Sequence, residues 1–171
     1  MKPLMKPLIP ALAVLTLLVG IVTDDAHAES PWVGTEAARI EAAANDWIEA
    51  FTEGDLDALM TLYHPEVLVA LNGQPSMRGI DEVRDYFAPR VGVGEPFFEL
   101  DIERIEVSGD EAYLLSAYWF AIDLPDQPPH FETGRSLLLY RRDAEGRWLI
   151  YLDIDQQTPD VQWPAPSGFG P

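Results

Sequence analysis

Ala112-Tyr113-Leu114-Leu115-Ser116-Ala117-Tyr118-Trp119-Phe120-Ala121-Ile122-Asp123-Leu124 reads as one long strand that is apolar on both faces. Successive side chains of a strand point to opposite sides. Leu114, Tyr118, Phe120 and Ile122 therefore share one face, and Leu115, Ala117, Trp119 and Ala121 the other. An antiparallel strand usually shows one face to water, so the second face needs cover. A second copy of the chain is the expected cover. Upstream, Phe97 to Val107 has apolar residues at 98, 100, 102, 105 and 107. Its phase breaks near Glu103-Arg104, which predicts a bulge. Ser108-Gly109-Asp110 turns the chain into the long strand. Downstream of the Pro125 to Pro129 loop, Phe131 to Arg142 and Arg147 to Asp155 form a hairpin around Asp143-Ala144-Glu145-Gly146.

Helices precede this meander. Thr35 caps a helix carrying Ile40, Ala43, Ala44, Trp47, Ile48 and Phe51 at helical spacing, and Gly54 stops it. Asp55 caps a second, short helix bearing Leu56, Leu59, Met60 and Tyr63, ended by Pro65. Val67 to Leu71 is strand-like and enters an Asn72-Gly73 turn. Ile80, Val83 and Phe87 mark a third helix after Gly79. Helices first and strands later give an α+β fold. The expected form is a cone-shaped curved antiparallel sheet wrapped around three N-terminal helices.

The chain has 171 residues, 11 Lys+Arg, 29 Asp+Glu and a net charge of −18. Such a balance argues against nucleic acid, which needs clustered Lys/Arg, and against an anionic membrane surface. Without cysteine there is no disulfide, thiolate metal site or thiol nucleophile. Residues 1–28 read as a signal peptide: Lys2 and Lys6, an uncharged run from Leu8 to Val22, then Ala26-His27-Ala28 as the cleavage site. The expected destination is periplasmic or secreted, with no membrane contact after cleavage. Residues 29–158 form the cone domain. Residues 159–171, with four Pro, Trp163 and Phe169, form an irregular C-terminal tail.

Trp47-Ile48-Glu49-Ala50-Phe51-Thr52-Glu53-Gly54-Asp55, followed by Leu56, Ala58, Leu59, Leu62 and Tyr63, resembles the opening of SnoaL-like and ketosteroid-isomerase-like proteins. These belong to the nuclear-transport-factor-2-like superfamily. Arg78-Gly79-Ile80, Thr133-Gly134-Arg135 and Asp143 through Trp148 add to the resemblance, which covers about Thr35 to Asp155. It implies the cone fold. It does not imply one function, since the superfamily hosts isomerases, dehydratases, hydrolases, cyclases and binders. It also implies that an isomerase carries an acid on the strand after the second helix. Here the matching position is Ala70 or Leu71, which cannot take a proton.

Other acids are available. Asp153 and Asp155 lie two apart on the last strand, hence on one face. A type I turn with a bulge at Gly146 sets Arg135 across from Asp155 and Leu137 across from Asp153. The candidate catalytic residues are therefore Asp153, Asp155 and Arg135. The opposite face, with Ser136, Leu138, Tyr140, Trp148 and Ile150, is more apolar and competes for the cavity side. Trp47, Tyr63, Phe98, Tyr118 and His130 are candidates to line a pocket. Tyr63 and Tyr118 stand out because a buried hydroxyl needs a partner. His130 paired with Asp153 would support proton transfer. His64 is expected at a helix end, facing the last carbonyls. His130 and Glu132 lack a third ligand, so no metal site is expected. No Gly-x-Ser-x-Gly elbow, phosphate loop or dinucleotide glycine pattern is present.

The leading reading is an exported protein that binds a small apolar or amphipathic molecule, without a cofactor and as a homodimer. The alternative is a cofactor-free isomerase, lyase or hydrolase with a strand carboxylate as general base. A third is an interaction module using the two-sided strand and the Trp163/Phe169 tail.

Overall fold

The computed structural model describes Trp32 and residues 34–124 and 127–171. The expected signal peptide, and part of the loop at 125–129, lie outside the described residues. Helix α1 spans Glu36–Glu53; the Thr35 hydroxyl accepts a hydrogen bond from the Ala38 amide at its start. Gly54 ends it at φ 81°, where a Cβ would sit 2.8 Å from the Gly92 Cα, leaving no room for a side chain. Helix α2 spans Leu56–Thr61 and is capped by Asp55. Strands β1 (Tyr63–Ala70) and β2 (Met77–Arg78) flank the Asn72-Gly73 turn, and α3 covers Gly79–Phe87. Then come β3 (Glu95–Ser108), β4 (Glu111–Asp123), β5 (His130–Arg142) and β6 (Trp148–Gln157).

The sheet runs β2-β1-β6-β5-β4-β3. It is a curved, unclosed sheet with the helices inside it, as the α+β reading expects. One pairing departs from a purely antiparallel sheet. β6 lies parallel to β1, with Val69 beside Asp153, so the last strand inserts next to the first. Ile40, Ala44 and Phe51 of α1, Val83 and Phe87 of α3, and Leu114, Tyr140 and Ile150 of the sheet form one buried core. The short second helix ends before Leu62, so Tyr63 and His64 belong to β1 rather than to a helix end. His64 Nδ1 accepts the Glu66 amide, and its ring packs edge-on against Tyr151.

Two bulges set the side-chain phase. The first falls between Ile102 and Arg104, where the break in apolar period predicts it. The second lies in β6. Tyr140 pairs with Ile150, as the turn geometry predicts, but Leu139 then pairs with Leu152. Tyr151 is the extra residue. Beyond it the register moves by one, setting Leu138 beside Asp153, Ser136 beside Asp155, and Arg135 beside Gln156. Ile150, Asp153 and Asp155 consequently all face the helices.

The outer face of β4 is covered in part by the chain itself. Residues after Thr158 fold back over the sheet and bury Ala117 and Trp119 against Val161 and Ala165. The Trp119 indole donates to the Gln162 carbonyl at 3.0 Å, and Thr133 donates to the Val161 carbonyl at 2.7 Å. Phe169 stacks on Phe97 with ring centres 4.0 Å apart, and Trp163 packs beside them. The tail is irregular as expected, but its two large rings are spent on the sheet.

Candidate functional site

The inner face of the sheet and the helices enclose a cavity of about 440 Å³. One side is aromatic. Trp47 of α1 stacks on Phe51 at 5.2 Å and meets the Phe98 edge at 5.3 Å; Phe98 in turn packs against Phe120 at 5.7 Å. Polar groups adjoin these rings, carried by alternate residues of β4, β5 and β6. Tyr118, Glu132, Ser136, Asp153 and Asp155 all reach the cavity.

Asp153 is buried, with 7% of its surface exposed. The Tyr63 hydroxyl donates to its Oδ2 at 3.4 Å, while accepting the Trp47 indole N–H at 2.7 Å. Burial pushes the Asp153 carboxyl up to about 7; the nearby Asp155 charge adds to this and the Tyr63 hydrogen bond opposes it. Burial likewise raises the Tyr63 hydroxyl well above its ordinary range, with Asp153 reinforcing it, so Tyr63 stays a neutral donor. Tyr63 does not line the cavity. It stands behind Asp153 and fixes that carboxylate's orientation.

A second polar cluster lies nearer the mouth. The Asp155 carboxylate accepts the Asn72 backbone amide at the end of β1. Tyr118 donates to Glu132 Oε1 at 2.9 Å. Burial raises Asp155; the Asn72 amide opposes this, Glu132 adds to it, and Tyr118 opposes it. Gly134 makes the cluster possible. A Cβ there would sit 2.1 Å from the Gln156 carbonyl oxygen and 2.8 Å from the Tyr118 ring. Its bare backbone lets the ring cross β5 toward β6. His130 is exposed at the rim, its Nε2 3.5 Å from Glu132 Oε2. It pairs there rather than with Asp153. Among the described residues no three His, Asp or Glu side chains are grouped to hold a metal ion.

Of the sequence candidates, Asp153, Asp155, Trp47, Phe98, Tyr118 and His130 come together around the cavity. Arg135 does not. It lies on the outer face, donating to Glu103 at 2.9 Å and to Asp160 at 2.7 Å. The β6 bulge is the cause, because it moves the acids onto the even-numbered face of β5, away from Arg135. Glu132, Ser136 and Asn72 were missed. The parity of β5 would have found the first two, since Glu132, Gly134, Ser136 and Leu138 alternate on one face. Nothing in the sequence marks the Asn72 amide.

The SnoaL-like domain profile matches residues 44–150, more than half of the chain. The chain belongs to the SnoaL-like domain family. No curated protein matches it. Among solved structures it is similar in fold to a ketosteroid isomerase-like protein from Erwinia carotovora atroseptica SCRI1043. That pair has a TM-score of 0.65 at 23% identity, covering 72% of this chain and 97% of the other. It is also similar to a provisionally assigned dehydratase of the nuclear transport factor 2-like family from Streptomyces avermitilis. There the TM-score is 0.64 at 20% identity, covering 71% and 95%. Within the SnoaL-like frame, the β1 position where the resemblance implies an acid is apolar, and Leu71 lines the cavity there. The buried carboxylate comes instead from β6, one strand over.

Proposed function

We propose that this SnoaL-like protein is an acid–base enzyme acting on a small apolar or amphipathic molecule, with Asp153 as general base. The observation that carries the reading is a carboxylate buried in a cavity and raised to about 7. An acid poised there is populated in both forms at neutrality, so it can take a proton from carbon and return it elsewhere. The proton leaves a C–H bond of the substrate, resides on Asp153, and is delivered to another atom or lost as a leaving group departs. Tyr63 is the positioning residue for that carboxylate. The isomerase-like and dehydratase-like names of the structural neighbours accord with chemistry of this class.

The reading leans away from simple binding because of Asp153 alone. Simple binding is favoured by the apolar replacement on β1 and the aromatic wall. The two part in deuterium uptake from D2O by a β,γ-unsaturated cyclic ketone, followed by NMR. Uptake catalysed by the wild type should fall about 100-fold or more in Asp153→Asn. Unchanged uptake would remove Asp153 from the mechanism. Binding without uptake, across enolisable ketones, would leave the binding reading.

Export to the periplasm or medium belongs to the same proposal and rests on residues 1–28 of the sequence. So does a homodimer. The part of the outer face that the tail leaves open carries Leu115, Leu137 and Ile154 in one cross-strand row. Sedimentation of the cleaved chain tests the dimer.

A further inference from the structure

The charges around the cavity are lopsided. Asp153, Asp155 and Glu132 converge on it from β6 and β5. Among the described residues no arginine pairs with any of the three. Arg90, at the mouth, lies over the Tyr86 ring at 3.8 Å and donates to the Tyr86 carbonyl. His130, the other basic group lining the cavity, sits exposed beside Glu132. On the outer face the opposite holds: Glu103, Asp160 and Glu111 each contact an arginine. The inner acids are thus half-buried or buried without an ion pair to an arginine among the described residues. Such groups are costly to leave unpaired and gain most from an incoming positive charge. The adjoining rings of Trp47, Phe98 and Phe120 supply faces and edges that accept an apolar body and also attract a cation. A carboxylate or phosphate ligand would meet the like charges of Asp155 and Glu132. The net charge of −18 draws cations toward the mouth as well.

We propose that the cavity takes an amphipathic amine, its apolar body against Trp47, Phe98 and Phe120 and its ammonium between Asp155 and Glu132. The inference rests on the cavity as the ligand site but not on turnover. Asp155 is held by the Asn72 amide and Glu132 by Tyr118, so the two acids are oriented before the ligand arrives. Asp153 lies deeper and remains available to the reacting part of the molecule.

The test compares three probes of one shape on the full chain by titration calorimetry, slightly above neutral pH. These are naphthylmethylamine, naphthylmethanol and naphthoate. The amine should bind at least about tenfold tighter than the alcohol, and naphthoate should not bind. Glu132→Gln and Asp155→Asn should each cut the amine-to-alcohol ratio toward one; thermal melts establish that each variant is folded. Equal binding of amine and alcohol, tighter binding of naphthoate, no binding of any probe, or a ratio untouched in both variants would each overturn the proposal. Amine preference in a protein without deuterium uptake sustains this inference and removes the proton-transfer reading. Uptake without amine preference does the reverse.

Discussion

The two faces of the sheet carry the same residue types and use them differently. Outside, Asp160 accepts from Arg135, whose hydrogen bond holds that carboxyl below its usual range. Inside, Asp153 has a tyrosine for a partner and is pushed upward by burial. An exposed carboxylate beside a guanidinium is stable and inert, and contributes little to folding. A desolvated one without a cation is a strain on the fold and a resource for chemistry. Position relative to the bulge at Tyr151 decides which fate an acid meets.

The pH dependence of stability separates the faces most. Asp153 keeps its proton in the folded chain up to about pH 7, while the unfolded chain has released it near the ordinary carboxylate range. The folded state therefore binds more protons in that window, and stability falls as pH rises through it. The loss approaches about 4 kcal/mol at most, with Asp155 shifted in the same direction. Asp155 and Tyr63 are the titratable groups acting on Asp153, which in turn helps burial to keep the Tyr63 and Tyr140 hydroxyls neutral. Asp153→Asn should flatten the melting temperature between mildly acid and neutral pH and raise it at neutrality. Asp143 and Asp160, held low by Arg147 and Arg135, work in the opposite sense: they stabilise above the ordinary carboxylate range and lose that as pH falls. A variant whose melting profile keeps the wild-type slope would break the contrast.

A smaller effect is expected where the inner face depends on a missing side chain. Gly134→Ala forces a methyl against the Gln156 carbonyl and the Tyr118 ring. Urea unfolding should show a loss of about 1–3 kcal/mol. Amine binding should weaken too, because Tyr118 is displaced from Glu132. The smallest effect belongs to the outer face. Arg135→Ala removes two ion pairs worth about 0–1 kcal/mol each and should leave turnover unchanged. Hydrogen exchange should quicken in the tail that Asp160 anchors. A large loss of turnover would contradict the outward placement of Arg135.

Much of the fold was legible because its signals are local. Thr35, Gly54 and Asp55 bracket helices by capping chemistry, and the phase break at Glu103 marks a bulge within a polar-apolar alternation. The candidate site was legible in composition but not in facing. Leu149, Ile150, Tyr151 and Leu152 are all apolar, so no phase break betrays the second bulge, and a one-residue step exchanges the faces. Arg135 was assigned to the acids for that reason. The Tyr63–Asp153 contact joins strands far apart in sequence and pairs them in parallel, which no turn specifies. Proline and glycine give the tail no period, so the sequence does not show that its rings pack on Phe97 and Trp119.

The parallel seam between β1 and β6 has a bearing on biosynthesis. Val69 is made well before its neighbour Asp153. A nascent chain halted anywhere before β6 lacks both the floor acid and the strand that seals the wall. The pocket closes only once β6 has been made, so a chain stopped before it would leave the rings of the cavity exposed.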